Sequence, residues 1–210
     1  MNKGFLITVE GPDGAGKTTQ IEMLKSHPEC EGWVFTRNPG GTKLGTEIRH
    51  LLLDAHDVKV APIAELLLYM ADRAQHYKEV IEPALKEGKV VVCDRYIDST
   101  VAYQGYARGL DIETINHLNK LVTYNNAPDL TVLLDVSPEI GLKRAGGKDK
   151  IEAEGQSFQE LVRNGLLELA RLNSQRFQII QTDNISTDEV HEKILKLINC
   201  LVLSQKVNVL

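Results

Sequence analysis

Cysteine is scarce in this chain: Cys30, Cys93 and Cys200 are the three it has in 210 residues. They are odd in number and scattered, with no C-x-x-C pair. That excludes a disulfide framework and a zinc site and reads as reduced thiols of a cytosolic protein. Positive charge is not in excess either. Lys and Arg number 24 against 29 Asp and Glu, a formal net charge of −5, so nothing draws the chain to nucleic acid in general. No apolar run approaches membrane-spanning length, so no membrane partner is expected. After Met1-Asn2-Lys3 an apolar run begins at once, which leaves no room for a signal peptide and points to the cytoplasm. Internal repeats, low-complexity tracts and interdomain linkers are missing as well. A hydrophobic fraction of 42% with 25% charged residues is ordinary for a globule, and the length suits one domain over 1–210 with at most a small lid.

Against these absences stands one dense motif. Gly11-Pro12-Asp13-Gly14-Ala15-Gly16-Lys17-Thr18 is a complete G-x-x-x-x-G-K-[ST] phosphate-binding loop. The apolar run Phe5–Val9 precedes it, and the helix-like segment beginning at Thr19 follows, which is the strand–loop–helix context the motif requires. Glycines let backbone N–H groups turn inward around phosphate oxygens, and the helix N-terminus adds a positive dipole end. Lys17 reaches the β- and γ-phosphates, and the Thr18 hydroxyl ligates Mg²⁺. The loop implies a nucleoside triphosphate.

Apolar, β-rich runs alternate with segments of helical period. The strand candidates are Phe5–Glu10, Trp33–Thr36, Val90–Asp94, Leu130–Asp135 and Phe177–Gln181. Helical period covers 16–27, 43–54, 62–87, 111–125, 137–145, 157–174 and 186–202. This alternation predicts an α/β fold with a parallel five-stranded sheet and helices on both faces. The stretch 145–150 is glycine-rich and charged, as a mobile loop would be. Ligands in such sheets sit beyond the carboxyl ends of the strands. Asp94-Arg95-Tyr96 falls there. Its carboxylate is placed to hold a Mg²⁺-bound water near Thr18, and its guanidinium to grip a second phosphate through a bidentate fork.

Further along, Arg37-Asn38-Pro39-Gly40-Gly41 makes a rigid bend after the second strand. Taken with the loop, with Glu65 through His76 and with Asp94 through Gly105, it resembles the bacterial type of the thymidylate kinase family. The resemblance runs on to Asp135 through Arg144 and, more loosely, to the end of the chain. It implies a P-loop NTPase fold, ATP as donor with Mg²⁺, dTMP as acceptor and a homodimer. Arg37 and Arg95 would bind the acceptor monophosphate, with Ser99 supporting it or its arginine. Tyr69 would stack on thymine, Arg73 would bond a ring carbonyl, and Gln104 the ring N–H with an adjacent carbonyl. Tyr103 would lie under the sugar and disfavour a 2′-hydroxyl. Asp13 would contact the acceptor sugar and hold the arginines, and Thr19 belongs to the donor site. Arg144 would stack on adenine.

From spacing alone, Tyr69 and the leucines before it suit plain core better than a stacking role, and Arg144 equally suits a solvated helix end. Two departures from the family pattern stand out. Asn38 replaces the glutamate of Arg-Glu-Pro-Gly-Gly, removing a carboxylate that would position Arg37 or Mg²⁺. The lid, about 145–156, is short and carries Lys148 and Lys150 where arginine is usual. Because Gly14 stands where some members of the family carry a basic residue, the resemblance implies that the lid supplies that charge, and Lys150 is expected to do so. The rivals are a deoxynucleoside kinase, another nucleoside monophosphate kinase, a regulatory GTPase and a non-catalytic nucleotide-binding module. A deoxynucleoside kinase would need a carboxylate base beside Arg37. A GTPase would need Asn-Lys-x-Asp, and Asn119-Lys120-Leu121-Val122 lacks the aspartate. A module without activity would be expected to have lost Lys17 or Arg95.

Overall fold

In a computed structural model that describes residues 4–55, 57–145 and 154–207, five strands form one sheet. They are β1 (Phe5–Glu10), β2 (Val34–Arg37), β3 (Val90–Asp94), β4 (Leu130–Asp135) and β5 (Phe177–Gln181). The order is β2-β3-β1-β4-β5, and every neighbouring pair is parallel. Parallel neighbours need crossover segments, and helices supply them. These are α1 (Lys17–Lys25), α2 (Lys43–Arg49), α3 (Pro62–His76), α4 (Glu82–Lys86), α5 (Ile97–Thr100), α6 (Ile112–Val122), α7 (Pro138–Ala145), α8 (Gln156–Leu172) and α9 (Thr187–Val207).

β1 and β4 are buried along their whole length, so both faces are covered. The two-residue alternation of side chains sorts the helices into layers. Phe5, Ile7 and Val9 pack with Ile21 and Leu24 of α1 and with Val190, Ile194 and Ile198 of α9. Leu6 points the other way, onto Tyr77, Ile81 and Ala84. Leu133 joins Val162 and Leu166 of α8 on that second side. The fold is therefore the expected P-loop NTPase arrangement, a parallel sheet between two helical layers. Among the described residues no helix is long and apolar enough to cross a membrane.

Two details differ from the sequence expectation. Trp33 is held in the preceding turn by its N–H to Cys30 O at 3.2 Å. The strand therefore starts at Val34 and ends on Arg37, which lies opposite Asp94 in the β2–β3 register. The other is an additional helical segment. Residues after Tyr96 form α5 and continue in wider π-helical turns over Val101–Ala107. β-branched Thr100 and Val101 and the glycine at 105 lower the local helix propensity, and packing against α6 and α8 overrides it. Wide turns also recur at Tyr77–Ile81, just ahead of Pro83, whose missing N–H cannot continue the regular ladder.

Candidate active site

The phosphate loop joins the central strand β1 to α1 and needs its glycines. Gly14 and Gly16 have φ of 74° and 95°, and a Cβ on Gly14 would collide with Gly141 O of α7. A cleft of about 610 Å³ opens over the loop at the carboxyl end of the sheet. Asp13 through Gln20 line it, with Thr18 and Thr19 exposed in it. Gly11 and Pro12 are buried, and their carbonyls accept from Lys17 Nζ at 3.0 and 2.8 Å. Burial, then the nearby Arg95 charge, pulls the Lys17 pKa down to about 8. The lysine rests on loop carbonyls that a phosphate can replace.

Arg95 follows β3 in the left-handed region, at φ 63°. Its N–H bonds Val9 O of the neighbouring strand at 3.1 Å. Nη1 donates to Gly11 O at 3.0 Å and to Ser99 Oγ at 3.2 Å, while Nη2 meets Asp13 Oδ1 at 2.5 Å. Tyr103 lies below the guanidinium, 5.0 Å from its ring centroid, and its hydroxyl reaches Asp13 Oδ1 at 3.3 Å. Burial works against the Arg95 charge, yet Tyr103, Asp13, Asp94 and Glu10 together push its pKa up. Burial likewise acts to raise Asp13, but Arg95 and Lys17, with bonds from Gln159 and Tyr103, hold it below the usual carboxylate range.

Two supports of this frame have no role in the motifs. Glu10, the last residue of β1, accepts from Tyr96 N–H at 2.7 Å and Ser99 Oγ at 2.5 Å, and so fixes the turn that carries Arg95. A carboxylate closing an otherwise apolar buried strand was its visible signal. Gln159 of α8 donates Nε2 to Asp13 Oδ2 at 2.8 Å. That contact spans 146 residues, and no local pattern marks it.

Next to Arg95 the cleft gathers further positive charge. Arg37 and Arg49 both line it. Burial lowers the Arg49 pKa, and the charges of Arg37 and Arg95 add to that effect. Arg49 lies on α2 beyond the glycine bend and donates to Pro39 O at 3.2 Å; the motifs did not single it out. Three guanidiniums around one hollow suit a phosphate dianion. Asp94 also lines the cleft, and its Oδ1 is buried without a protein hydrogen-bond partner. An orphaned carboxylate oxygen in the cleft that holds the Thr18 hydroxyl fits a hard divalent cation with a water shell. Among the described residues there is no group of three or more His, Cys, Asp or Glu fit to hold a metal, so such an ion would rely on phosphate and water for its other ligands.

Asn38 has a defined place. Its Oδ1 accepts from Arg73 Nε at 3.0 Å and Nη2 at 2.6 Å, and its Nδ2 donates to Asp72 Oδ2. Asp72 Oδ1 accepts from Gly40 N–H at 3.0 Å, tying the bend to α3. An amide satisfies a cation on one side and an anion on the other, whereas a glutamate there would face the Asp72 carboxylate. Arg73 is 1% exposed at the cleft wall. Its remaining donors go to Asn119 Oδ1, Tyr96 O and Thr100 Oγ1 at 2.6, 2.9 and 2.7 Å, so the guanidinium is held mainly by protein.

Tyr69, Tyr103 and Gln104 line the same cleft from α3 and the π-helical turns. At its other end Arg144 Nη2 donates to Thr182 O at 3.2 Å and Asp183 O at 3.4 Å, beside Ile185, Thr187 and Val190. The structure thus brings Asp13, Lys17, Thr18, Arg37, Tyr69, Arg73, Asp94, Arg95, Ser99, Tyr103, Gln104 and Arg144 to one cleft. Lys148 and Lys150 lie outside the described residues.

Comparison with known proteins bears on the family and the fold. A family model described as Thymidylate kinase matches residues 9–194. A thymidylate kinase from Desulfosudis oleivorans is 50% identical over 188 residues, 84% of this chain and 88% of the relative. One from Halothermothrix orenii is 46% identical over 209 residues, 95% of this chain and 99% of its own length. The crystal structure of thymidylate kinase from Ehrlichia chaffeensis matches with a TM-score of 0.77 at 36% identity, covering 94% of this chain and 99% of that one.

Glu10 yields a pH prediction. Burial, then the Asp98 charge, raises its pKa from 4.5 to about 7 against the bonds from Ser99 and Tyr96. Its contribution to stability is fully present below about pH 4.5 and is lost as the pH rises through about 7, a swing of roughly 3 kcal/mol. Glu10→Gln removes that swing. Urea denaturation of both proteins from pH 4.5 to 8 should show the variant gaining on the native protein by about this amount; parallel curves would count against the assignment.

Proposed function

The chain belongs to the thymidylate kinase family, and we propose that it moves the γ-phosphoryl group of ATP onto the phosphate of dTMP, giving ADP and dTDP. The observation that carries this reading is the convergence of Arg37, Arg49 and Arg95 beside a complete phosphate loop in one cleft. A second dianion next to a triphosphate is what three guanidiniums at that place can hold. An acceptor phosphate is already nucleophilic near neutral pH, so no side chain has to remove a proton. That separates the site from one acting on a 5′-hydroxyl.

The remaining roles follow from charge and position. Lys17 turns from Gly11 O and Pro12 O to the β- and γ-phosphates as ATP enters. Loop N–H groups from Asp13 to Thr19 cradle the donor, and Arg144 covers the adenine at the far end. Thr18 and Asp94 would hold Mg²⁺, which would supply positive charge to offset that of the donor phosphates. Arg95, kept in place by Asp13 and Ser99, aligns the acceptor phosphate with the donor. Tyr69 offers its ring face to thymine, Gln104 its amide, and Arg73, on the wall of the same cleft, an N–H to a ring carbonyl. Tyr103, pinned by Asp13 and Arg95, closes the space where a 2′-hydroxyl would enter. We further assign the chain to the cytoplasm, as one kinase domain that acts on small molecules as a homodimer. Light scattering would return twice the 23.4 kDa chain mass, and a monomer mass would overturn the dimer.

An ADP-release assay with Mg·ATP against dTMP, dUMP, dCMP, UMP and thymidine tests the main reading. Turnover is expected with dTMP, weaker with dUMP, and none with UMP or thymidine. Turnover with thymidine alone would contradict it. Lys150 is proposed to bring the lid's charge to the transferring group. Lys150→Ala should then lower kcat by about tenfold or more while both KM values move little; an unchanged kcat would remove Lys150 from the mechanism.

A further inference from the structure

The base end of the cleft contains a buried polar chain with no part in phosphate binding. Gln104 lines the cleft and is 2% exposed. Its Nε2 donates to Glu65 Oε1 at 2.9 Å. Glu65 comes from α3 and is buried in turn. Arg108 grips both its oxygens, Nε to Oε1 at 3.3 Å and Nη2 to Oε2 at 3.4 Å. The third nitrogen of Arg108, Nη1, pairs with Glu154 Oε1 at 2.6 Å, and the guanidinium lies 4.9 Å from the Phe158 ring centroid. Phe158 lies in the first turn of α8 and Glu154 just ahead of that helix, so these two residues hold Arg108 and Arg108 holds Glu65.

A side-chain amide has two nearly isosteric orientations, and its surroundings must choose between them. A carboxylate carries acceptors and no donor. Facing Glu65, Gln104 can therefore present only its nitrogen. Turning the amide over would set its oxygen against the carboxylate in a buried site. With one N–H committed to Glu65, the amide keeps Oε1 and its second N–H for a ligand, an acceptor beside a donor.

We infer that Glu65 is a positioning residue that determines base specificity: it locks Gln104 so that the cleft accepts a pyrimidine with a protonated ring nitrogen beside a carbonyl. Thymine and uracil have that edge. Cytosine presents the reverse, an unprotonated ring nitrogen beside an amino group, and would need the forbidden orientation of Gln104. The inference rests on the acceptor reading given above and deepens it. Discrimination of this kind is strong because a mismatched edge leaves buried polar groups unpaired.

Glu65→Gln keeps the shape and permits Gln104 to turn. The ratio of kcat/KM for dTMP to that for dCMP should fall by about tenfold or more, through a raised KM for dTMP and gained turnover of dCMP. The KM for ATP, read in the same assays, should stay near the native value. Arg108→Gln, which loosens Glu65 without replacing it, should shift the ratio the same way and serves if Glu65→Gln folds poorly. Equal losses for both acceptors, with the ratio kept, would mean a merely structural carboxylate and overturn the inference. A native protein that uses dTMP no better than dCMP would overturn the acceptor reading and the inference with it. Native selectivity that survives in both variants dismisses Glu65 alone.

Discussion

The ion pair between Arg95 and Asp13 is the contact on which the rest of the site depends. It joins the turn after β3 to the phosphate loop after β1, the two strand ends between which the cleft opens. Holding a non-glycine residue at φ 63° costs roughly 1 to 3 kcal/mol and persists only where neighbours over-determine it. They do so here. Val9 O takes the Arg95 N–H, Glu10 takes the next N–H and the Ser99 hydroxyl, and Gly11 O and Asp13 share the guanidinium. In return the loop carboxylate is fixed on both oxygens, by Arg95 and Tyr103 on one and Gln159 on the other.

That frame stores positive charge in advance of the ligand. Lys17, Arg37, Arg49 and Arg95 face one cleft, and the depressed pKa values of Lys17 and Arg49 reflect burial, aggravated by the repulsion of Arg95 on both and of Arg37 on Arg49. A phosphate entering the cleft relieves the repulsion, so no reorganisation is needed when charge moves in the reaction. Ordering is supplied by folding: the layers around β1 hold the loop, while α8 ties down Asp13 through Gln159 and lays Phe158 against Arg108.

Much of this was legible in the sequence, and the boundary has a physical reason. The strands and the phosphate loop announce themselves through local pattern, apolar runs and glycines at fixed spacing. Of the five strands only β2 moved, by one residue, because a turn bond captured Trp33. The turns over Val101–Ala107 escaped because their helical form comes from packing on α6 and α8 and not from propensity. Gln159 drew no notice, and Glu65 stood in a motif without a role of its own, for a related reason: what they do depends on partners that only the folded chain brings near. Asn38 shows the converse. In sequence it is a lost carboxylate, while in the structure it is an amide matched to Arg73 on one side and Asp72 on the other.

The most direct test of the preassembled frame is the kcat of Asp13→Asn at saturating ATP and dTMP. The variant keeps the shape of the loop and deletes the charge that anchors Arg95. If the arginine owes its placement to Asp13, kcat falls by about tenfold or more, with a smaller change in the KM for dTMP. A native kcat in this variant would show that Arg95 finds its catalytic position without the loop, and would contradict the account.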